Sequence, residues 1–106
     1  MGQLEVTWEI EDESLHLGLK GKLNTLEAMN LDERLSQIPE DVKNIYFDFD
    51  GLIYIASAGL RILYWAGEYT AERGGEVSVK NVCPEVLELL EMTGFSEYLA
   101  EGSAAE

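Results

Sequence analysis

The chain has 106 residues, enough for one hydrophobic core and too few for two. Seven Lys and Arg stand against 21 Asp and Glu, a net charge of -14, which argues against nucleic acid and anionic membrane surfaces, since both demand clustered cations. A single cysteine excludes an internal disulfide, and no apolar run approaches the roughly 20 residues of a membrane span.

The opening MGQLEVTWEIEDESLHLG lacks the basic start and continuous apolar stretch of a secretion signal. Val6 stands where a myristoylation signal favours Ser or Thr, and a cytoplasmic protein is expected. Leu4, Val6, Trp8 and Ile10 alternate with polar residues, the period of a half-buried strand. After the polar EDES, Leu15, Leu17 and Leu19 resume that period, so the two segments should pair as an antiparallel hairpin closed by Gly21. Asn24 or Thr25 can cap a helix running to about Gln37, with Leu26, Met29, Leu31, Leu35 and Ile38 as its apolar stripe. Pro39 ends it, because the residue before a proline is pushed out of the helical region.

Ile45 to Phe49 is aromatic and β-branched enough for an interior strand. The Asp50-Gly51 pair breaks it, and Leu52 to Ile55 is a short extended approach to the next element. Ala58 to Arg73 is helical and stops at Gly74-Gly75, after which Glu76 to Lys80 alternates as a strand around Val77 and Val79. Pro84 suits the first turn of a helix over Glu85 to Met92, with Val86, Leu87, Leu89 and Leu90 facing inward. A short amphipathic piece, Phe95 to Leu99, precedes a small polar tail at 101–106 with the composition of disorder. The element order predicts an α/β fold in one domain over residues 1–100. Its single mixed sheet has about four to five strands, is covered by about three to four helices, and is parallel in its later part.

In open α/β sheets functional groups gather at the carboxyl ends of strands, where helices begin. That edge carries Asp48, Asp50 and, within YIASAGLRIL, Ser57. Ser57 has two readings. Its hydroxyl can cap the helix by accepting a hydrogen bond from the amide of Gly59 or Leu60. Alternatively it can carry a phosphate, whose charge the helix N-terminus would tolerate and a partner packed on the turn would not. Gly59 leaves the amides of the turn uncovered, and Arg61 lies one turn after Ser57, exposed if Leu60 and Leu63 face the core. Tyr64, Trp65 and Tyr69 supply aromatic groups of the kind interfaces favour.

Asp48 and Asp50, two residues apart, could hold Mg²⁺ or accept a phosphoryl group, as in a receiver domain, with Lys80 as its lysine. The acidic cluster Glu11-Asp12-Glu13 falls in a hairpin turn instead of after a parallel strand, so a solvated turn is the better reading. His16 is a lone outward-facing residue, Cys83 a small core residue beside Pro84, and no third group completes a nucleophile-base pair. Neither GxGxxG nor a P-loop is present, and no catalytic residue, metal site or cofactor is expected.

With Ser57 in view, the chain from about Leu4 to Leu99 resembles the STAS domain family, in its bacterial anti-sigma factor antagonist form. The resemblance is most specific in IYFDFDGLIYIASAGLRIL. It is supported by GKLN at Gly21 to Asn24, by the Gly74-Gly75 break, and by NVCPEVLELLEMTGF from Asn81 to Phe95. It implies a STAS-like fold and a partner-switching regulator that is not an enzyme. The unphosphorylated form would bind an anti-sigma factor that is commonly a serine protein kinase; phosphorylation of the loop serine would release it, and a serine phosphatase would reverse the change. By this resemblance Ser57 is the phosphoacceptor, while Asn24, Asp48, Ala56, Ala58, Gly59, Leu60 and Arg61 shape the partner-binding surface. The chain departs from the family pattern at Ala56 and Asn24, both in place of acids, and at Ala58, in place of a second hydroxyl. These departures leave open a STAS scaffold that binds without phosphorylation, such as an accessory subunit of a lipid transporter.

Overall fold

The elements run β1 (Leu4–Glu11), β2 (Ser14–Leu23), α1 (Thr25–Leu35), β3 (Asn44–Asp48), β4 (Leu52–Ile55), α2 (Ser57–Glu72), β5 (Val77–Lys80) and α3 (Pro84–Met92), with a final 3₁₀ turn at Ser96–Tyr98. They belong to a computed structural model that describes residues 3–99; the tail expected at 101–106 lies outside the described residues.

β1 and β2 form the expected antiparallel hairpin, in register from Leu4 opposite Gly21 to Glu11 opposite Ser14. β3 then pairs in parallel with the first half of β2, and β5 in parallel with β3. The short approach Leu52–Ile55 is itself a strand, β4, parallel to the last three residues of β2. β2 therefore serves two parallel neighbours in succession. Gly21 marks the change. Its φ of +106° and the register shift after it form a bulge, and a side chain there would collide with the Gln3 carbonyl. The Gly21 amide donates to the Gly51 carbonyl at 2.9 Å, which ties the Asp50-Gly51 turn to the same point.

Leu15, Leu17, Leu19 and Leu23 of β2, Ile45 and Phe47 of β3, Leu52 and Ile55 of β4 and Val79 of β5 all point to one face and are buried there under the helices. The alternate positions, His16, Lys20, Lys22 and Lys80 among them, are exposed. The described residues measure 33 × 33 × 21 Å, the thickness of one sheet and one layer of helices. Among the described residues the sheet is covered on one side only.

α1 corrects the predicted stripe. Ala28, Leu31 and Leu35 are its buried residues, while Leu26 and Met29 are 65% and 62% exposed. Met29 lies two residues before Leu31, about 200° round the helix, so both cannot face the core. The helix also ends at Leu35, two residues before the predicted Gln37, and the chain passes through a turn to Pro39. α2 ends as predicted. Gly74 takes φ +71°, its amide reaches Ala71, and the Gly75 amide reaches Thr70 at 2.8 Å, the paired bonds of a Schellman motif. Near its middle, Gly67 leaves a notch that the Tyr98 hydroxyl occupies, seating the final turn against α2.

Candidate functional site

β2 and β4 run side by side in parallel, Leu23 opposite Ile55, so the next residues, Asn24 and Ala56, open two neighbouring helices at one edge of the sheet. The Ala56 amide donates to the Leu23 carbonyl at 2.9 Å, which fixes the two starts against each other. At α1, the Asn24 side chain accepts from the Glu27 amide at 2.9 Å, and the Glu27 carboxylate in turn accepts from the Gln3 amide at 2.8 Å. At α2 the cap position belongs to Ala56, which has no side-chain oxygen to offer.

Ser57 is thus not the cap. It is the first residue of α2, exposed, and the predicted bond to its hydroxyl from the amide of Gly59 or Leu60 is replaced by backbone contacts: those two amides donate to the Ala56 carbonyl at 2.8 and 3.1 Å. Among the described residues the amides of Ser57 and Ala58 have no protein acceptor. The helix dipole adds partial positive charge at the same place, and α1 begins beside it.

Gly59 also has a different reason from the one the sequence suggested. It is buried, and a Cβ there would come within 2.7 Å of Ile55 Cγ1 and 2.8 Å of Leu23 Cδ2. The glycine lets α2 descend onto the ends of β2 and β4; it sets the height of the site instead of uncovering it. Ala56 is buried, Ala58 and Leu60 are half-buried, and Arg61 is exposed. Arg34 and Arg73 lie over the rings of Trp8 and Tyr69. Among the described residues the ion pairs are Lys43–Glu13 at 3.5 Å and Arg73–Glu72 at 3.8 Å, so Arg61 is engaged in neither kind of contact. Farther along α2, the rings of Trp65 and Tyr69 lie tilted against each other with centroids 4.9 Å apart, and Tyr64 is 58% exposed. The Glu68 carboxylate, one turn on, raises the Tyr64 phenol above its ordinary pKa.

Asp48 is not brought to this edge. It faces Gly18 of β2, five residues before Leu23, so it lies roughly 16 Å along the strand from the Ser57 turn. Its carboxylate accepts from the Asp50 amide and from the Asn81 side chain, both at 3.0 Å, and so ties the β3–β4 turn to the loop before α3. His16 lies on the open sheet face against Tyr46, with ring centroids 5.3 Å apart. Cys83 is half-buried at the start of α3, its thiol 3.4 Å from the Leu52 carbonyl. No group of three or more His, Cys, Asp or Glu is gathered as a metal site among the described residues. No helix is long and apolar enough to cross a membrane.

Sequence reasoning missed Leu26 and Met29, which it placed in the core, and with them Ile53 and Tyr54 of β4, exposed by 60% and 49%. A helical count outward from Leu31 would have found the first two, because it selects the small Ala28 as the inward position.

The solved structures that resemble this fold include SpoIIAA, a Bacillus cell fate determinant, in its phosphorylated form, with a TM-score of 0.77 over 96% of this chain and 92% of that one at 16% identity. The unphosphorylated form of SpoIIAA matches with a TM-score of 0.75, over 96% and 89%, at 15% identity. An anti-sigma factor antagonist from Mycobacterium paratuberculosis matches at 0.67, over 91% and 82%, at 19% identity. In sequence, the chain is 29% identical over 93 residues to BtrV of Bordetella bronchiseptica, assigned by name as an anti-sigma factor antagonist; the match covers 87% of this chain and 80% of that protein. The family model described as "Mlab, STAS domain" matches residues 6–101, nearly the whole length, and the chain is a member of the STAS domain family.

Proposed function

We propose that the protein is a cytoplasmic partner-switching regulator of the anti-sigma factor antagonist type and not an enzyme. In its unphosphorylated form it binds an anti-sigma factor that is also a serine kinase. Phosphorylation of Ser57 ends the complex, and a serine phosphatase restores it. The observation that carries this reading is the exposed Ser57 at the first position of a helix whose leading amides have no partner among the described residues.

A phosphate on Ser57 would sit at the positive end of α2, a favourable interaction of about 0.3–1 kcal/mol on an exposed helix. The fold would keep its shape while the docking surface gained nearly two negative charges. A partner whose contact centres on the turn would lose that contact. Around Ser57, Ala58 and Arg61 would touch the partner, while Ala56, Gly59 and Leu60 shape the turn beneath it. Asn24 fixes the neighbouring helix start, and Asp48 acts at a distance by holding the β3–β4 turn.

A second reading has one observation in its favour. Ala56 offers no carboxylate next to the serine to guide a kinase, which suits an adaptor that binds constitutively, for instance within a lipid transporter. The purified partner separates the two. For the switch, Ser57→Asp weakens binding and Ser57→Ala does not, and mass mapping after incubation with the kinase and ATP finds the phosphate on Ser57. Equal binding by both variants, with Ser57 unmodified, would establish the adaptor.

A further inference from the structure

α1 lies alongside α2, and between them runs a groove of about 230 Å³. Ala28 and Ile62 form its floor, Met29 and Asp32 one wall, Ala58 and Arg61 the other. Met29 is 62% exposed, and Leu26, one turn earlier on the same side of α1, is 65% exposed. Two large apolar side chains left in water beside a depression floored by alanine form a surface that an apolar partner residue would cover.

We propose that this groove determines partner specificity, and that its occupant is an amphipathic helix of the partner with basic flanks. One apolar side chain of that helix would seat over Ala28 and Ala58, against Met29 and Leu26. The basic flanks follow from charge: the chain carries -14, and Asp32 and Glu33 of α1 are in no ion pair among the described residues.

The control of this groove rests on the reading of Ser57 as a phosphorylated switch. Arg61 is four residues after Ser57, the spacing at which side chains on a helix meet. A phosphate there would draw the guanidinium into a charge-assisted hydrogen bond and off the groove wall. One modification would then repel at the rim and reshape the groove.

The test titrates the isotope-labelled chain with a short synthetic helix of leucine and lysine, and with an analogue carrying serine for leucine. With the leucine peptide, amide shifts should cluster at Ala28, Met29, Ala58 and Arg61, and Met29→Glu should weaken binding about tenfold. Met92→Glu, at a 76% exposed position on α3, should leave it unchanged. Shifts centred on the open sheet face, or equal binding of the serine analogue, would overturn the groove. Ser57→Asp in the same titration distinguishes the two readings: unchanged affinity removes the control by Ser57 and leaves the groove standing. Shifts elsewhere remove the groove and leave Ser57 to the kinase assay.

Discussion

The two helices that start side by side at the sheet edge are finished in opposite ways. α1 has a side-chain cap: Asn24 occupies the Glu27 amide, and the Glu27 carboxylate accepts from the amide of Gln3, just before the first strand. α2 is left open, with alanine at the cap and serine exposed just inside. The capped end gains the stability of a cap, typically about 1 kcal/mol. The open end forgoes it, although in both helices the first two amides, Thr25 and Leu26 in α1 and Ser57 and Ala58 in α2, have no acceptor among the described residues. Two neighbouring helices of one small domain thus divide between them the tasks of holding the edge and presenting it.

Four substitutions break or sharpen that contrast, each read by urea unfolding followed by circular dichroism. Leu23→Ala empties the seat beneath both helix starts and should cost about 2–5 kcal/mol. Gly59→Ala forces a methyl against Leu23 and Ile55 and should cost about 1–3 kcal/mol; in the double variant with Leu23→Ala the two losses should add to less than their sum. Asn24→Ala removes the side-chain cap of α1 and should cost about 1 kcal/mol. Ala56→Ser closes the open end. Its backbone, φ -84° and ψ 168°, already suits a cap, so it should gain a few tenths to 1 kcal/mol while weakening any anion held at Ser57. A loss of stability in that last variant would show that the α2 amides are already satisfied.

The strand alternation and the double glycine after α2 were plain in the sequence because each rests on a local rule. The period of two in Leu15, Leu17 and Leu19 needs no knowledge of what lies above the sheet, and Gly74 ends a helix wherever one runs into it. Ser57 was legible as a helix start to within one residue. That the cap position falls on Ala56 instead of Ser57 was not, because φ and ψ at Ala56 decide which residue lies outside the helix, and composition does not report them. Gly59 looked like a source of access because one of the two side chains beneath it, Leu23, comes from a strand distant in sequence. The α1 stripe failed for a related reason: size was read as burial, and Ala28, which faces the core, is smaller than Leu26 and Met29, which do not. Strand ends alone put Asp48 beside Ser57. The handover on β2 at Gly21 separates them, and only the register reveals it.

That handover makes β2 the common rail of the sheet, since β1, β3 and β4 all bond to it and only β5 does not. A cut between the exposed Glu40 and Asp41 would leave β1, β2 and α1 on one fragment and the remaining elements on the other. Their strand pairing would then run along a single edge, the side of β2 that holds β3 and β4. The protein is thereby a natural candidate for a split reporter, in which two fragments regain the Ser57 edge only when something brings them together.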